Sequence, residues 1–373
     1  MSDRNIKYFV VAFLFLSVLM LNSCKQQENK PSVAESQIDG KDIRLSLNEN
    51  PFEVDESIKD SIIKEIANIN RYVAEDGKSF IEFIAAHEGV SPEQIIPGEI
   101  LSLLGVYLAL KNGEGSEFIQ TVPGYPVFAN AAAGVGGKVI DISLDQNLEN
   151  DFDAIEKKIT SKTAAIFLVN PHNPSGVVTE SKKLHDFISR VSKKTLIIID
   201  EAYLEYASDF KERTALSNLK SGDNILIFRT LAKAYGLGGL TIGYAIAPKE
   251  LAQYLRSKGL GNTHALNRLS IAAAKASLSN QDKIIKESKI IQEERDKWHT
   301  FLDNLSLKHS DSKANFVFFD TGRSSSEVKK LFLDNGIAIG PIYEDYPTWI
   351  RITIGTPTEN TKVQSVLKEI IKK

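Results

Sequence analysis

The sequence has a single cysteine, Cys24, so no disulfide can form within the chain and the fold must stand on its packed core. A metal-binding pattern is missing as well: the six histidines are scattered and have no cysteine partners. No charge of one sign dominates. Lys and Arg number 45 against 48 Asp and Glu, for a net charge of −3. There is no basic stripe and no long block of like charge, which excludes a nucleic-acid-binding surface and a charged disordered tail. Internal repeats and low-complexity tracts are absent. What remains is ordinary for a globular protein, 42% hydrophobic and 25% charged. At 373 residues the chain is too long for one compact core, and about two domains are expected.

The one long apolar run is at the N-terminus. MSDRNIK carries two cations, YFVVAFLFLSVLML follows, and LNSC ends at Cys24. Fourteen almost entirely apolar residues are short for a membrane span and suit the core of a signal peptide. No paired arginine precedes them, which argues against export in a folded state. LNSC resembles a bacterial lipobox, in which the cysteine is lipidated and becomes the first residue. This implies a signal peptide over 1–23, lipidation at Cys24 and an extracytoplasmic, membrane-anchored lipoprotein facing the periplasm. A plain membrane anchor, or a secretory signal with an incidental cysteine, remains open. Residues 24–42, with the polar aperiodic KQQENKPSVAESQIDGKD at 25–42, read as a flexible tether.

From about residue 57 helix and strand patterns alternate. SIKDSIIKEIANI, LSLLGVYLALK and ESKKLHDFISRVSKK have helical character, whereas EFIQTV and KVIDI are short strands. TAAIFLV, TLIIID and NILIF are continuous apolar runs, as expected of strands covered on both faces of a parallel sheet. The alternation predicts an α/β fold with a large doubly wound, mostly parallel sheet domain over 73–262. An N-terminal arm over 43–72 precedes it. A smaller α+β domain over 263–373 follows, with strands ANFVFFD and WIRITIG.

In an open parallel sheet ligands bind beyond the carboxyl ends of the strands. IFLV is followed by NPHNPSG, LIII by DEAY, and ILIF by RTLAK. An amide, a carboxylate, a phenol and an amine therefore converge on one crevice. Lys233 in particular lies past an apolar run and before glycines 236, 238, 239 and 243, a setting a solvated lysine does not need. Such a group suits an aldehyde cofactor with a pyridine nitrogen. Lysine forms a Schiff base with pyridoxal phosphate, and a carboxylate keeps the ring nitrogen protonated. Taken singly, Lys233 could be a surface lysine, Asp200 a helix cap and NPHNPSG a turn.

As an ordered set, the chain resembles the fold-type-I pyridoxal-phosphate aminotransferases of class I/II, most closely the histidinol-phosphate branch. The likeness runs from about residue 44 to the C-terminus. It rests on NENP at 48–51, NRY at 70–72, PGYPVF at 123–128, NPHNPSG at 170–176, DEAY at 200–203, RTLAKAYGLGGL at 229–240 and RITIGT at 351–356. It implies pyridoxal 5'-phosphate as cofactor. Lys233 is then the catalytic lysine, carrying the proton between substrate Cα and cofactor. Asp200 pairs with the pyridinium nitrogen, Asn173 and Tyr203 hold the ring oxygen, and Tyr125 stacks on the ring. Thr230 lies on the phosphate side, with Tyr72 reaching the phosphate of a neighbouring subunit, which implies a homodimer. Asn50 and Arg351 bind substrate, Arg351 as a bidentate clamp on its carboxylate.

The departures from the family pattern cluster. Ala232 stands where the family usually has serine and Thr241 where it usually has arginine, both phosphate ligands. The small-residue loop that should deliver phosphate to a helix N-terminus is about four residues short, so that IIPG runs at once into EILSLL. Phe52 and Gly340 stand where the histidinol-phosphate enzymes often carry a tyrosine and a phosphate-gripping arginine. The expectation is transamination between an unphosphorylated amino acid and a 2-oxo acid. A decarboxylase, lyase or racemase built on the same cofactor remains an alternative, as does a non-catalytic lipoprotein with a degenerate crevice. His172, inside the NPHNPSG turn, is read as part of the loop structure.

Overall fold

The computed structural model of the chain describes residues 43–372. The signal peptide, Cys24 and the tether expected from the sequence lie outside these residues.

A seven-stranded sheet organises the larger part of the molecule. Its strands are β2 (Ile95–Pro97), β3 (Glu117–Val122), β4 (Lys138–Ser143), β5 (Thr163–Val169), β6 (Leu196–Asp200), β7 (Ile225–Thr230) and β8 (Gly243–Ile246), in the order β2-β8-β7-β6-β5-β3-β4. From β4 through β7 all pairings are parallel, and β8 runs antiparallel to both β7 and β2. All five residues of β6 and six of the seven in β5 are buried. Both faces of these central strands are therefore covered, as the unbroken apolar runs require. The helices form for legible reasons. In Ser181–Val191 the buried side chains are Leu184, Phe187, Ile188 and Val191, a 3.6-residue stripe. Glu180 accepts hydrogen bonds from the Lys182 and Lys183 backbone N–H groups at its start.

Two smaller pairings complete the framework. β1 (Ile43–Arg44) runs parallel to β10 (Ile337–Ala338), and β9 (Phe316–Asp320) is antiparallel to β11 (Trp349–Thr353). The strands read as ANFVFFD and WIRITIG are thus direct partners, with Arg351 opposite Phe318. The N-terminal segment is tied to the rest by the helix Glu56–Ile66, which packs on the helix Arg268–Ser279. Strands β2 and β8 have no counterpart in the sequence pattern. At three and four residues they are too short to display a period, and they exist because the edge of β7 needs partners.

The winding of the sheet places the crevice. The chain passes from β3 outward to β4, then returns across to β5, which continues to β6 and β7. β3 and β5 are neighbours, and the direction of winding reverses between them. A crevice opens at such a switch point beyond the strand ends.

Candidate active site

The carboxyl ends of β5, β6 and β7 are in register: Val169 is opposite Asp200, and Asp200 is opposite Phe228. All three line a cavity of about 320 Å³. The segments leaving these strands bring Asn173, Tyr203, Thr230 and Lys233 to the same cavity, and the segment after β3 adds Tyr125. Six of the predicted cofactor-site residues therefore meet in one place, although they span more than a hundred positions of sequence.

A buried charge network fixes two of these strand ends. Arg229, just before Thr230, lies 3.0 Å from Glu88 and 3.0 Å from Glu201, the neighbour of Asp200. Its guanidinium also donates to Thr214 Oγ1 at 2.8 Å, and Tyr244 donates its hydroxyl to Glu88. Breaking such a buried pair from one side costs about 3–5 kcal/mol, so the ends of β6 and β7 are held firmly together.

The side chains on this frame are electrostatically distinctive. Asp200 is buried, and among the described residues its carboxylate accepts one hydrogen bond, from Ala202 N at 3.0 Å. Burial pushes its pKa up to about 7. Lys233 Nζ donates to Leu47 O at 2.9 Å and lies 5.9 Å from the Tyr203 ring centroid. Burial, and then the Arg351 charge, lower its pKa, which makes the neutral nucleophilic amine more accessible. Tyr203 is pushed up to about 12 by burial and stays protonated. Its oxygen accepts from Asn48 Nδ2 at 3.2 Å and Asn173 Nδ2 at 3.4 Å, which leaves its proton free to donate. Burial also raises the Tyr125 pKa.

The remaining predicted residues lie elsewhere. Arg351 does not line the cavity, but its Nη1 donates to Asn173 Oδ1 at 2.7 Å, its Nη2 donates to Ser46 O at 2.6 Å, and its buried Nε has no partner among the described residues. Asn50 is also outside. Its amide donates to Ala234 O at 3.1 Å and Glu287 Oε2 at 3.3 Å, and its Oδ1 accepts from Phe52 N at 2.9 Å. In this chain it braces the segment after Lys233. Tyr72 is 83% exposed and sits edge-on to His264, away from the cavity of its own chain. His172 is fully buried, held at 3.3 Å from both Thr121 Oγ1 and Ser175 Oγ, with its pKa lowered to about 3 by burial. It is part of the loop's internal structure.

Three residues of the site escape the sequence pattern. Asn48 opens the NENP segment, in which the family resemblance points to Asn50 instead. It adopts φ +54°, a left-handed conformation asparagine tolerates, and so reaches Tyr203. Ser102 lines the cavity at the start of the helix Leu101–Asn112. Glu99, just before that helix, turns inward: Thr230 Oγ1 donates to its Oε1 at 2.5 Å, and burial raises its pKa. The abrupt passage from IIPG into EILSLL is the one sequence signal for Glu99.

Ala232 and Thr241 line the cavity at this same end. Beyond Glu99 and Thr241, which line both, lies a second cavity of about 460 Å³.

The family model for aminotransferase class I and II matches residues 40–367. Histidinol-phosphate aminotransferase 2 of Pasteurella multocida is 31% identical over 334 residues, covering 88% of this chain and 90% of that protein. The aromatic amino acid aminotransferase of Cutibacterium acnes is 31% identical over 337 residues, covering 88% and 93%. The crystal structure of histidinol-phosphate aminotransferase from Sinorhizobium meliloti in complex with pyridoxal-5'-phosphate superposes with a TM-score of 0.82 at 27% identity, covering 92% of this chain and 94% of that one.

Proposed function

This chain belongs to the aminotransferase class I and II family, and we propose that it transfers an amino group between an unphosphorylated amino acid and a 2-oxo acid. Its cofactor is pyridoxal phosphate. The observation that carries the reading is the convergence of Lys233, Asp200, Tyr203 and Asn173 on one cavity. The ring end suits the cofactor: Asp200 is a buried carboxylate with a single backbone donor, and a protonated pyridine nitrogen would supply the missing charge partner. The phosphate end suits it less well, since Ala232, Thr241 and Glu99 line the cavity there and offer no cation.

When bound, pyridoxal phosphate supplies an aldehyde for the amino group and a ring that draws electrons from the substrate Cα. The residues divide the remaining work. Lys233, with its pKa lowered, would hold the cofactor through its aldehyde carbon, the carbonyl oxygen leaving as water, and its amine is placed to carry a proton. Asp200 would pair with the ring nitrogen. Tyr203 as donor and Asn173 would hold the ring oxygen, and Asn48 sets the orientation of Tyr203. Tyr125 would cover a ring face. Arg351, held beside Asn173, would take the substrate α-carboxylate.

Phe52 and Gly340 support the choice of an unphosphorylated substrate. Phe52 packs against the core. At Gly340 a Cβ would lie 2.7 Å from Arg351 O and 3.1 Å from Arg351 Nε, so no side chain fits there without displacing the arginine. A donor panel tests the reading: purified protein loaded with cofactor should shift its visible absorbance and form a 2-oxo acid with an unphosphorylated amino acid at higher kcat/KM than with histidinol phosphate. The reverse preference would refute the substrate class, and an absorbance shift without 2-oxo acid would point to a decarboxylase or lyase.

The working assembly we propose is a homodimer in which the exposed Tyr72 reaches the partner's site. Light scattering together with a Tyr72→Phe cofactor titration tests it. The location we propose is extracytoplasmic, through lipidation at Cys24 on the basis of the LNSC sequence. Metabolic palmitate labelling should depend on Cys24 and be lost in Cys24→Ser, and a mature chain that begins elsewhere would rule this out. Two or more acyl chains are needed for stable attachment.

A further inference from the structure

The helix Leu101–Asn112 begins at the cavity, where its first backbone N–H groups have no intrahelical acceptor. An anion is favourable there. In this chain a carboxyl group already stands close by. Glu99 lies one position before the N-cap Ile100, and its Oε1 accepts a hydrogen bond from the Thr230 hydroxyl at 2.5 Å. The same oxygen would lie 2.9 Å from a Cβ at Gly243, so the absence of a side chain at 243 leaves the carboxylate room. Lys233 is the only cation among the described residues lining the first cavity, and the second cavity has none. Lys233, which already acts as a counter-charge to Glu99, is engaged at the ring end, and no further cation lines either cavity to offset a second negative charge.

We propose that Glu99 is an internal anion standing in the cofactor's phosphate cup, and that it sets the chain's selectivity at the cofactor 5′ position by reducing the advantage a 5′-phosphate gives over a 5′-hydroxyl. The proposal rests on the functional reading above. A phosphate oxygen that takes the Thr230 proton must displace Glu99 Oε1 or lie within one hydrogen-bond length of it. Two anions at that spacing repel strongly in a partly dry site. The second cavity, which Glu99 also lines, gives its side chain somewhere to move when phosphate enters. A neutral 5′-hydroxymethyl group meets no such opposition and can donate to the carboxylate.

The experiment compares binding of pyridoxal phosphate and of pyridoxal by the full chain and its Glu99→Gln and Glu99→Ala variants. Absorbance titration and borohydride trapping on Lys233 are the readouts. Glu99→Gln keeps the shape and the acceptor for Thr230 while removing the charge. It should tighten pyridoxal phosphate by about 10-fold or more and leave pyridoxal within about twofold. Inorganic phosphate should assist pyridoxal binding in the variant and not in the wild type. An unchanged ratio of the two affinities in both variants overturns the proposal. So does weaker binding of pyridoxal phosphate, which would mean that Glu99 orients Thr230 for the phosphate. If trapping fails for both compounds in all three proteins, the functional reading itself falls and takes this proposal with it, an outcome recognisable because pyridoxal is lost too.

Discussion

The two ends of the cavity differ in how their polar groups are matched. At the ring end Asp200, Lys233, Tyr203 and Asn173 each keep a hydrogen-bonding or charge capacity that the chain does not satisfy, and burial shifts the first three in pKa. At the phosphate end the Thr230 hydroxyl is fully used within the chain, donating to Glu99 and accepting from Ala232 N. A site prepared for a ligand leaves groups incompletely paired and holds them by rigid surroundings, here the Arg229 network beneath β6 and β7. A site that has closed on itself pairs its own groups. The ring end is of the first kind and the phosphate end has moved toward the second, within a cavity about 320 Å³ in volume.

The sharpest way to break this contrast is at Lys233. Lys233→Ala should abolish borohydride-trappable cofactor and lower transamination by about 10²–10⁴-fold or more, the range associated with losing a positioned proton carrier. Trapping at full yield in the variant would show that the ring end is not the covalent end.

Asp200→Asn should cost on the order of 10²-fold in turnover, since it removes the charge that holds the ring-nitrogen proton. It also has a signature without cofactor. The folded pKa of Asp200, about 7, is above the usual 3.8, so the folded chain binds this proton more tightly than the unfolded chain does. The corresponding stability is fully present below pH 3.8 and is lost as pH rises through about 7. Glu205, also raised to about 7 by burial, acts in the same direction. Urea unfolding of the cofactor-free chain between pH 5 and 8 should therefore show a smaller loss of stability in Asp200→Asn than in the wild type. Equal slopes would mean that Asp200 is not desolvated.

At the other end, Thr241→Arg tests whether the cup can be restored. A charge-assisted hydrogen bond contributes about 1.5–3 kcal/mol, or roughly 10- to 100-fold in affinity. With Glu99 in place the new guanidinium has a carboxylate to pair with, and the gain for pyridoxal phosphate should be small. With Glu99→Gln alongside it should reach about 10-fold, with Ala232→Ser adding less. The backbone permits the change: Thr241 sits at φ +48°, where a β-branched residue is already disfavoured and arginine is no worse. Equal gains with and without Glu99 would show that the carboxylate does not oppose the phosphate, and cofactor retained as firmly by the wild type as by the triple variant would show that other residues have replaced the lost contacts.

The smallest expected effect is at the substrate end. Gly340→Arg, which introduces the arginine that the family resemblance leads one to expect here, should raise kcat/KM for histidinol phosphate by less than about threefold and lower stability by about 1–3 kcal/mol, because its Cβ meets the Arg351 backbone. A large gain with the phosphorylated donor would show that the strand can accommodate the arginine and that substrate choice rests elsewhere.

Much of this is legible in the sequence. The unbroken apolar runs at 163–169, 195–200 and 224–228 identify buried parallel strands by composition and length alone. Because ligand sites lie beyond the ends of such strands, the order of residues alone places Asn173, Asp200, Tyr203, Thr230 and Lys233 around one crevice. The departures at Ala232, Thr241 and the short loop are expectations drawn from the family resemblance. The strand and crevice assignments are local: each depends on a residue and its near neighbours.

Contacts across the fold are not legible in that way. That Glu99 turns inward and meets a threonine 131 residues away follows from where β7 and the helix Leu101–Asn112 are brought together. The roles within NENP depend on backbone conformation: the left-handed turn at Asn48 delivers its amide to Tyr203, while Asn50 is drawn to Ala234. Arg351 reaches Asn173 across 178 residues because β11 pairs with β9 and carries it over the crevice. The sequence by itself determined which chemical groups stand at the strand ends, because strand formation and burial are set by short-range pattern. Only the tertiary structure decided which of those groups are left open to a ligand and which satisfy one another, since hydrogen-bond satisfaction depends on distances between segments that the linear order does not contain.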